Sequence, residues 1–342
     1  MKTRRLLPLI LVAVVACLAT ANSACTLFSD PGFNAYAVGE PGSRDIAVSM
    51  PDGTERRVIT ADAIGQSADD FAPVWSPDRQ RIAFLSNRDG NVEVYLAIAD
   101  GSRVVRLTNT GVDESQVTWS PDGNQIAYTS PDIDGTSLVY WLSLSDLMPT
   151  RLLFGSASES DPQWSPKGTW VAFASLDEQG EPIGLYLRNP SGVNRLQVTQ
   201  SPDRSPAWSP DGKRLAFVST RDGNEDIYVI EVRDNGPIGQ ANRVTDTPGR
   251  DFAPDWSPDG KRLAFLSDRN GNIDIFTASH RGEDINTLTR SPFDEIAVEW
   301  GPDGRVVFES APTGKSELFV MDTSGIQHQI TTDELPSSLP NW

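Results

Sequence analysis

Short apolar runs alternate with polar turns along most of the chain, and the segment around Trp208 shows this pattern most clearly. Leu215 to Val218 and Ile227 to Ile230 are apolar runs of strand length, and the residues around them are rich in Gly, Pro, Asp and Asn, which favour tight turns. After a polar insertion at Asn235 to Gln240, Arg243 to Thr245 predicts one more strand. With the strand that ends at Trp208, the segment predicts four short antiparallel strands.

The same pattern occurs in six complete units, and a turn phrase marks each of them. Trp-Ser-Pro-Asp-Gly begins at Trp119, Trp208 and Trp256, and looser copies begin at Trp75, Trp164 and Trp300. Including the terminal Trp342, the steps between these tryptophans are 44, 45, 44, 48, 44 and 42 residues. A repeat of this length is typical of the blades of a β-propeller.

The two ends of the chain predict a seventh blade. Asn34 to Ala37, Asp45 to Val48 and Val58 to Thr60 match a second, third and fourth strand, and they lack a first one. Trp342 follows Thr331 at the interval that separates earlier fourth strands from their next tryptophan, so the C-terminal segment supplies the missing inner strand. Closure of this kind removes unpaired strand edges. In an alternative ring, Phe28 begins the first blade and Trp342 lies outside.

These patterns predict an all-β fold, a seven-bladed β-propeller that forms a single domain over residues 34–342. Residues 1–25 form an export leader, and residues 26–33 form a short linker. Lys2, Arg4 and Arg5 precede an apolar run that is too short for a permanent membrane span. Two types of processing fit this leader. Lipidation at Cys17, with Cys25 as the alternative, makes a lipoprotein, and cleavage after Ala21 makes an ordinary secreted protein.

The charge of the chain narrows the range of partners. The chain carries 47 Asp and Glu against 29 Lys and Arg, a net charge of -18. A nucleic acid is therefore excluded as the expected partner, and cations or basic protein segments are favoured. The only two cysteines lie in the leader region, so no disulfide framework is expected in the folded body.

The repeat resembles a known family. Trp208 to Ile227 and Trp256 to Ile275 are similar to the WD-repeat-like propeller repeat of the TolB family, and the resemblance covers residues 34–342. TolB itself has a six-bladed propeller preceded by an α/β domain that engages Tol components of the inner membrane. Only 33 residues precede the first predicted strand here, so we expect that domain to be absent. The resemblance implies a platform for protein interactions outside the cytoplasm.

An acidic residue stands five positions before each internal tryptophan that begins a turn phrase. The six are Asp70, Glu114, Glu159, Asp203, Asp251 and Glu295. Because inner strands line a propeller channel, the loops before them gather at one mouth, where the acids would bind a basic partner or a cation such as Ca²⁺. In the alternative interpretation, each acid caps its own loop or pairs with an arginine, and Arg88, Arg221 and Arg269 recur at suitable offsets.

The sequence offers little catalytic chemistry. It contains neither a G-x-S-x-G nor an H-E-x-x-H motif, and its only histidines, His280 and His328, lie in different units. We therefore expect a non-enzymatic, monomeric scaffold. It needs no cofactor, and Ca²⁺ is the one candidate for a bound ion. We expect it in the periplasm or at the outer face of the cell membrane, with a lipid anchor as its only membrane contact. Its partners would be envelope proteins that bind over the acidic mouth. The alternatives are a cation- or carbohydrate-binding propeller and a carboxylate-based glycoside-active enzyme.

Overall fold

A computed structural model describes residues 33–61, 68–151, 157–190, 195–331 and 336–341. Within these ranges the chain forms 28 strands in seven four-stranded sheets, and it forms no helix. The leader, Cys17, Cys25 and nearly all of the linker lie outside the described residues. None of the described segments is a helix long and apolar enough to cross a membrane.

The first blade combines both ends of the chain. It contains β1 (Asn34–Val38), β2 (Asp45–Ser49), β3 (Arg57–Val58) and, on the inner side of β1, the last strand β28 (Ser337–Asn341). Val38 pairs with Ser337 and Ala35 with Asn341 in antiparallel register. The predicted closure by the C-terminal segment is thereby confirmed. The alternative ring beginning at Phe28 is wrong, because β28 occupies the inner position. Trp342 itself lies outside the described residues.

Each remaining blade runs outward from an inner strand in chain order. Blades 2 and 3 contain β4 (Asp70–Trp75), β5 (Arg81–Ser86), β6 (Glu93–Ile98), β7 (Val104–Arg106), β8 (Ser115–Trp119), β9 (Gln125–Pro131), β10 (Ser137–Ser143) and β11 (Pro149–Arg151). Blades 4 and 5 contain β12 (Ser158–Trp164), β13 (Val171–Leu176), β14 (Pro182–Arg188), β15 (Arg195–Gln197), β16 (Asp203–Trp208), β17 (Arg214–Ser219), β18 (Asp226–Arg233) and β19 (Gly236–Arg243). Blades 6 and 7 contain β20 (Asp251–Trp256), β21 (Arg262–Ser267), β22 (Asp274–Ser279), β23 (Asn286–Thr287), β24 (Glu295–Trp300), β25 (Val306–Ser310), β26 (Glu317–Met321) and β27 (Gln327–Gln329).

The turn phrase has the structural role that its residues predict. In the unit at Trp208, the Asp211 carboxylate accepts hydrogen bonds from the Ser209 hydroxyl at 2.7 Å and from the backbone N–H of Lys213 at 3.0 Å. Gly212 has a φ of 64°, in the left-handed region that favours glycine. The phrase is thus a self-contained turn between the first and second strands.

The tryptophans of the phrase join neighbouring blades. The indole N–H groups of Trp119, Trp208 and Trp256 donate to backbone carbonyls on the inner strand of the preceding blade, at 2.9, 3.2 and 3.0 Å. Between the blades, the core contains one fully buried aromatic ring from each second strand. The tryptophans of the phrase therefore connect one blade to the next.

The polar insertion in the unit at Trp208 is the main departure from the predicted strands. The sequence predicts a polar insertion at Asn235 to Gln240, and in the structure β19 begins at Gly236 within it and pairs with β18 from Arg233 onward. Gly236, at φ 119°, allows a tight turn, so the insertion lengthens both strands of the hairpin instead of forming a loop.

Candidate functional site

The six acids that precede the tryptophans lie inside the blades. All are at most 2% exposed, and they stand at or next to the start of the inner strands. This corrects the predicted geometry. The carboxylates are buried between packed strands, and they do not form an open ring at a channel mouth. A role of the six in binding a partner or a cation stays a prediction.

Three of the six acids pair with an arginine of the same blade. Arg88 donates to Asp70 at 2.6 Å, Arg221 to Asp203 at 2.7 Å and Arg269 to Asp251 at 2.5 Å. In each blade the guanidinium also lies over two neighbouring aromatic rings, for example 5.5 Å from the centroid of Phe265 and 4.4 Å from that of Phe276 in blade 6. The pairing expected in the alternative interpretation is present in these three blades.

The other three acids are glutamates, and the arginine position of their blades holds a different residue. Burial raises the pKa of Glu114, Glu159 and Glu295 to about 7 in each case. Glu114 accepts from the Thr110 hydroxyl at 2.8 Å, and Glu159 accepts from the backbone N–H of Val139 at 3.0 Å. Glu295 Oε2 is buried without a hydrogen-bond partner, and so is Glu114 Oε2.

Acids beside these positions hold loop backbone in place. Asp113 accepts from the N–H of Val92 at 2.7 Å, and Asp294 accepts from the N–H of Ile273 at 2.8 Å. Each contact ties the loop before an inner strand to the start of the third strand in the preceding blade. These carboxylates therefore have the capping role that the alternative interpretation expects.

A β-bulge in each inner strand directs side chains towards the central channel. Pairing between the first and second strands shifts just before the tryptophans, for example between Phe252 and Asp255 in blade 6. Five non-glycine residues at equivalent positions have φ between 50° and 54°: Ala72, Gln116, Asp161, Ser205 and Ala253. The bulge interrupts the strict alternation of a strand, so several consecutive residues reach the channel.

The channel contains a cavity of about 620 Å³ between the inner strands of blades 2 to 7. Its lining includes three carboxylates, Asp161, Asp255 and Glu299, and the amides of Gln116 and Gln163. Among the lining residues that the structure describes there is no lysine, arginine or histidine. The described lining of the cavity therefore combines acidic and hydrogen-bonding groups.

Hydrogen bonds across blades fix two of these carboxylates. Asp161 accepts from the Gln116 amide at 2.6 Å and from the backbone N–H of Ser205 at 3.1 Å. Asp255 accepts from the backbone N–H of Trp300 at 2.6 Å, and burial raises its pKa to about 6. Each contact joins two blades, so the same carboxylates both line the channel and connect the ring.

Sequence reasoning missed Asp255 and Glu299. Their signal is a position directly before Trp256 and Trp300, on the strand expected to line the channel. Calcium binding stays a prediction. Within the described ranges, no group of three or more His, Cys, Asp or Glu side chains is placed to hold a metal ion.

The fold and this channel define a closed, seven-bladed β-propeller with an acidic channel. The family model described as the TolB beta propeller domain matches residues 34–201 and 162–342. The chain belongs to this family, and the predicted resemblance is confirmed.

Two curated relatives and one solved structure show the extent of the similarity. A TolB homolog of Chlorobaculum tepidum is 47% identical over 49 residues, which cover 14% of this chain and 11% of that protein. An uncharacterized peptidase of Bacillus subtilis is 36% identical over 67 residues, 19% of this chain and 10% of that protein. The chain thus matches only a small part of the length of these relatives. The solved structure of a TolB from Agrobacterium tumefaciens is 27% identical, with a TM-score of 0.55 over 67% of this chain and 84% of that one.

Proposed function

We propose that this protein is a non-enzymatic scaffold of the bacterial cell envelope, and that a partner protein docks over its channel through a basic segment. One observation carries the proposal. Three carboxylates line the channel, and its described lining has no cationic residue. Clustered like charges in a cleft raise the local concentration of oppositely charged groups and speed their association. The net charge of -18 acts in the same direction over longer distances.

Membership of the TolB family supports the scaffold role, and the leader pattern of residues 1–25 supports export with a lipid anchor at Cys17 or Cys25. The similarity to the peptidase of Bacillus subtilis covers only 67 residues, which are 10% of that protein. No G-x-S-x-G or H-E-x-x-H motif occurs in the sequence, which supports a binding role over a catalytic one.

The test is quantitative capture of proteins from a bacterial envelope extract by the purified chain. The channel variant combines Asp161→Asn, Asp255→Asn and Glu299→Gln. Its matched control changes three exposed acids outside the channel, Glu178→Gln, Glu231→Gln and Asp234→Asn, and so makes the same change in net charge.

We expect the channel variant to lose a specific partner that the control variant retains, and raised salt to weaken the retained interaction. If both variants lose the partner equally, the interaction is a non-specific attraction between opposite charges. Equal retention would exclude the channel acids from partner binding.

A further inference from the structure

The boundary between blades 6 and 7 contains two buried carboxylates without a cation. Asp274 at the start of β22 is 2% exposed, and Glu295 at the start of β24 is 1% exposed. The negative charge of Asp274 adds to burial in raising the pKa of Glu295. Neither carboxylate forms an ion pair with any residue that the structure describes, and Glu295 Oε2 has no hydrogen-bond partner. A buried carboxylate oxygen without a donor is costly.

The boundary between blades 5 and 6 shows how the same arrangement is neutralised elsewhere. There Asp226 and Asp251 take the equivalent positions. Arg243 pairs with Asp226 at 2.6 Å, and Arg269 pairs with Asp251 at 2.5 Å. At the boundary between blades 5 and 6, each of two acids thus pairs with an arginine. The boundary between blades 6 and 7 has two acids at the same positions and neither arginine.

The sequence explains both missing arginines. Arg243 stands opposite Tyr228 on the fourth strand, and Thr287 stands opposite Phe276 at the matching position of blade 6. In the hairpin between second and third strands, Arg269 follows Ser267 by two residues, and Pro312 follows Ser310 in the same way. The turn itself is unchanged, because a glycine N–H closes both hairpins, from Gly271 to Asp268 at 2.9 Å and from Gly314 to Ala311 at 3.1 Å.

The aromatic platform for a guanidinium is retained in blade 7. Phe308 and Phe319 stack with centroids 5.5 Å apart, as Phe265 and Phe276 do at 6.0 Å in blade 6. Arg269 lies over the rings of blade 6, and no described cation lies over those of blade 7. Blade 7 therefore has the carboxylate and the rings that bind an arginine in other blades, and it lacks the arginine.

An apolar groove leads to this position from the surface. Its volume is about 560 Å³, and its walls include Phe252, Ile273, Phe293 and Ile296, with Glu295 as a lining residue. Phe293 is 41% exposed and Ile296 is 49% exposed, so two large apolar side chains of one groove face the solvent. A ligand that suits this groove combines an apolar surface with one positive charge.

We propose that the groove between blades 6 and 7 binds a partner polypeptide through one arginine flanked by apolar residues. The guanidinium pairs with Glu295 and Asp274 in place of the arginines that neighbouring blades supply themselves, and the flanking side chains pack on Phe293 and Ile296. Because Glu295 is enclosed, the arginine enters the groove and displaces its surface side chains to reach the carboxylate. Arginine fits better than lysine because it forms two parallel hydrogen bonds and stacks on rings.

The test measures binding of a fluorescent, N-acetylated Leu-Leu-Arg-Leu-Leu peptide to the purified chain. The comparison peptide carries citrulline, which keeps the shape of arginine and removes its charge. The variants are Glu295→Gln, which removes the charge of the site, and Pro312→Arg, which fills the site from within. Glu114→Gln is the matched control, since Glu114 is another buried inner-strand glutamate without an arginine.

We expect the arginine peptide to bind at least about tenfold more weakly to Glu295→Gln and to Pro312→Arg, and the citrulline peptide to bind equally weakly to the unmodified chain. Glu114→Gln should bind as the unmodified chain does. The absence of saturable binding, equal affinity for the citrulline peptide, or loss in the channel variant alone would overturn the proposal. The last result would place arginine binding in the channel. Failure of the groove proposal can therefore be told apart from failure of the proposed docking over the channel.

A second measurement needs no peptide. Pro312→Arg should raise the melting temperature of the chain, because the new arginine neutralises Glu295, and this gain should shrink when Glu295→Gln is added. A Pro312→Lys control should give a smaller gain. A gain that is independent of Glu295 would show that the position is not an arginine site, and it would overturn the proposal.

Discussion

The indole N–H of Trp256 donates to the carbonyl of Ala207 at 3.0 Å, and this bond joins the inner strands of blades 5 and 6. Trp256→Phe keeps an aromatic ring and removes the donor, so we expect a loss of about 1 kcal/mol in the free energy of unfolding. Trp256→Ala also leaves a cavity and should cost about 3–5 kcal/mol. Urea denaturation of both variants checks this order, and a Trp256→Phe variant as stable as the unmodified chain would show that the hydrogen bond contributes nothing.

Closure of the ring depends on β28, because this strand from the C-terminus completes the blade of the N-terminus. Truncation after residue 335 should expose the edge of β1 and lower the melting temperature sharply. Calorimetry of the truncated and full chains measures the effect. An unchanged melting temperature would contradict closure by this strand.

The buried ion pair between Arg269 and Asp251 should contribute far more to the free energy of unfolding than an exposed ion pair does. Arg269→Met leaves the Asp251 carboxylate, which is fully buried, without its cation, and should cost about 3–5 kcal/mol. Arg250→Met is the control, since the Arg250 side chain is 55% exposed in its pair with Asp268 and should contribute less than about 1 kcal/mol. Adding Asp251→Asn to Arg269→Met should restore part of the loss. Similar costs for both arginines would contradict the account.

The raised pKa of Glu159 predicts a pH dependence with a definite sign. Its usual value of 4.5 rises to about 7 in the folded chain, so between these values the folded state holds a proton that the unfolded state has released. The contribution of this group is fully present below pH 4.5 and is lost as the pH rises through about 7, a change on the order of 3 kcal/mol.

Glu159→Gln removes this dependence. The stability of the variant relative to the unmodified chain should therefore increase from about pH 4.5 to about pH 7 and then level off. Denaturation at a series of pH values measures the difference, with the exposed Glu178→Gln as the control. A relative stability that stays flat, or that falls as the pH rises, would show that Glu159 is ionised in the folded chain.

The tryptophan spacing was enough to predict seven blades and their closure, because each turn phrase begins at a fixed place in its blade. The equal offsets of Arg88, Arg221 and Arg269 likewise predicted their pairing with Asp70, Asp203 and Asp251. Burial of all six acids could not be read from spacing, since it depends on how neighbouring blades pack over the loops.

The channel acids Asp255 and Glu299 could not be predicted from the sequence for a different reason. A bulge in the inner strand changes which residues face the channel, so simple alternation does not assign Asp255 or Glu299. The position of Pro312 is visible in the sequence as a departure from the arginine of other repeats. Its consequence depends on the neighbouring Asp274, which only the packing of blade 6 against blade 7 brings near Glu295.

Photocrosslinking from inside the channel tests the central claim most directly. A benzophenone amino acid replaces Gln163, an exposed residue of the channel lining, and a second chain carries it at Glu231, an exposed residue on the third strand of blade 5. In envelope extract, we expect a crosslink from position 163 to a specific envelope protein. This crosslink should be lost when Asp161→Asn, Asp255→Asn and Glu299→Gln are added. Position 231 should give no crosslink to that protein. A crosslink to the same protein from position 231 and none from position 163 would contradict docking over the channel.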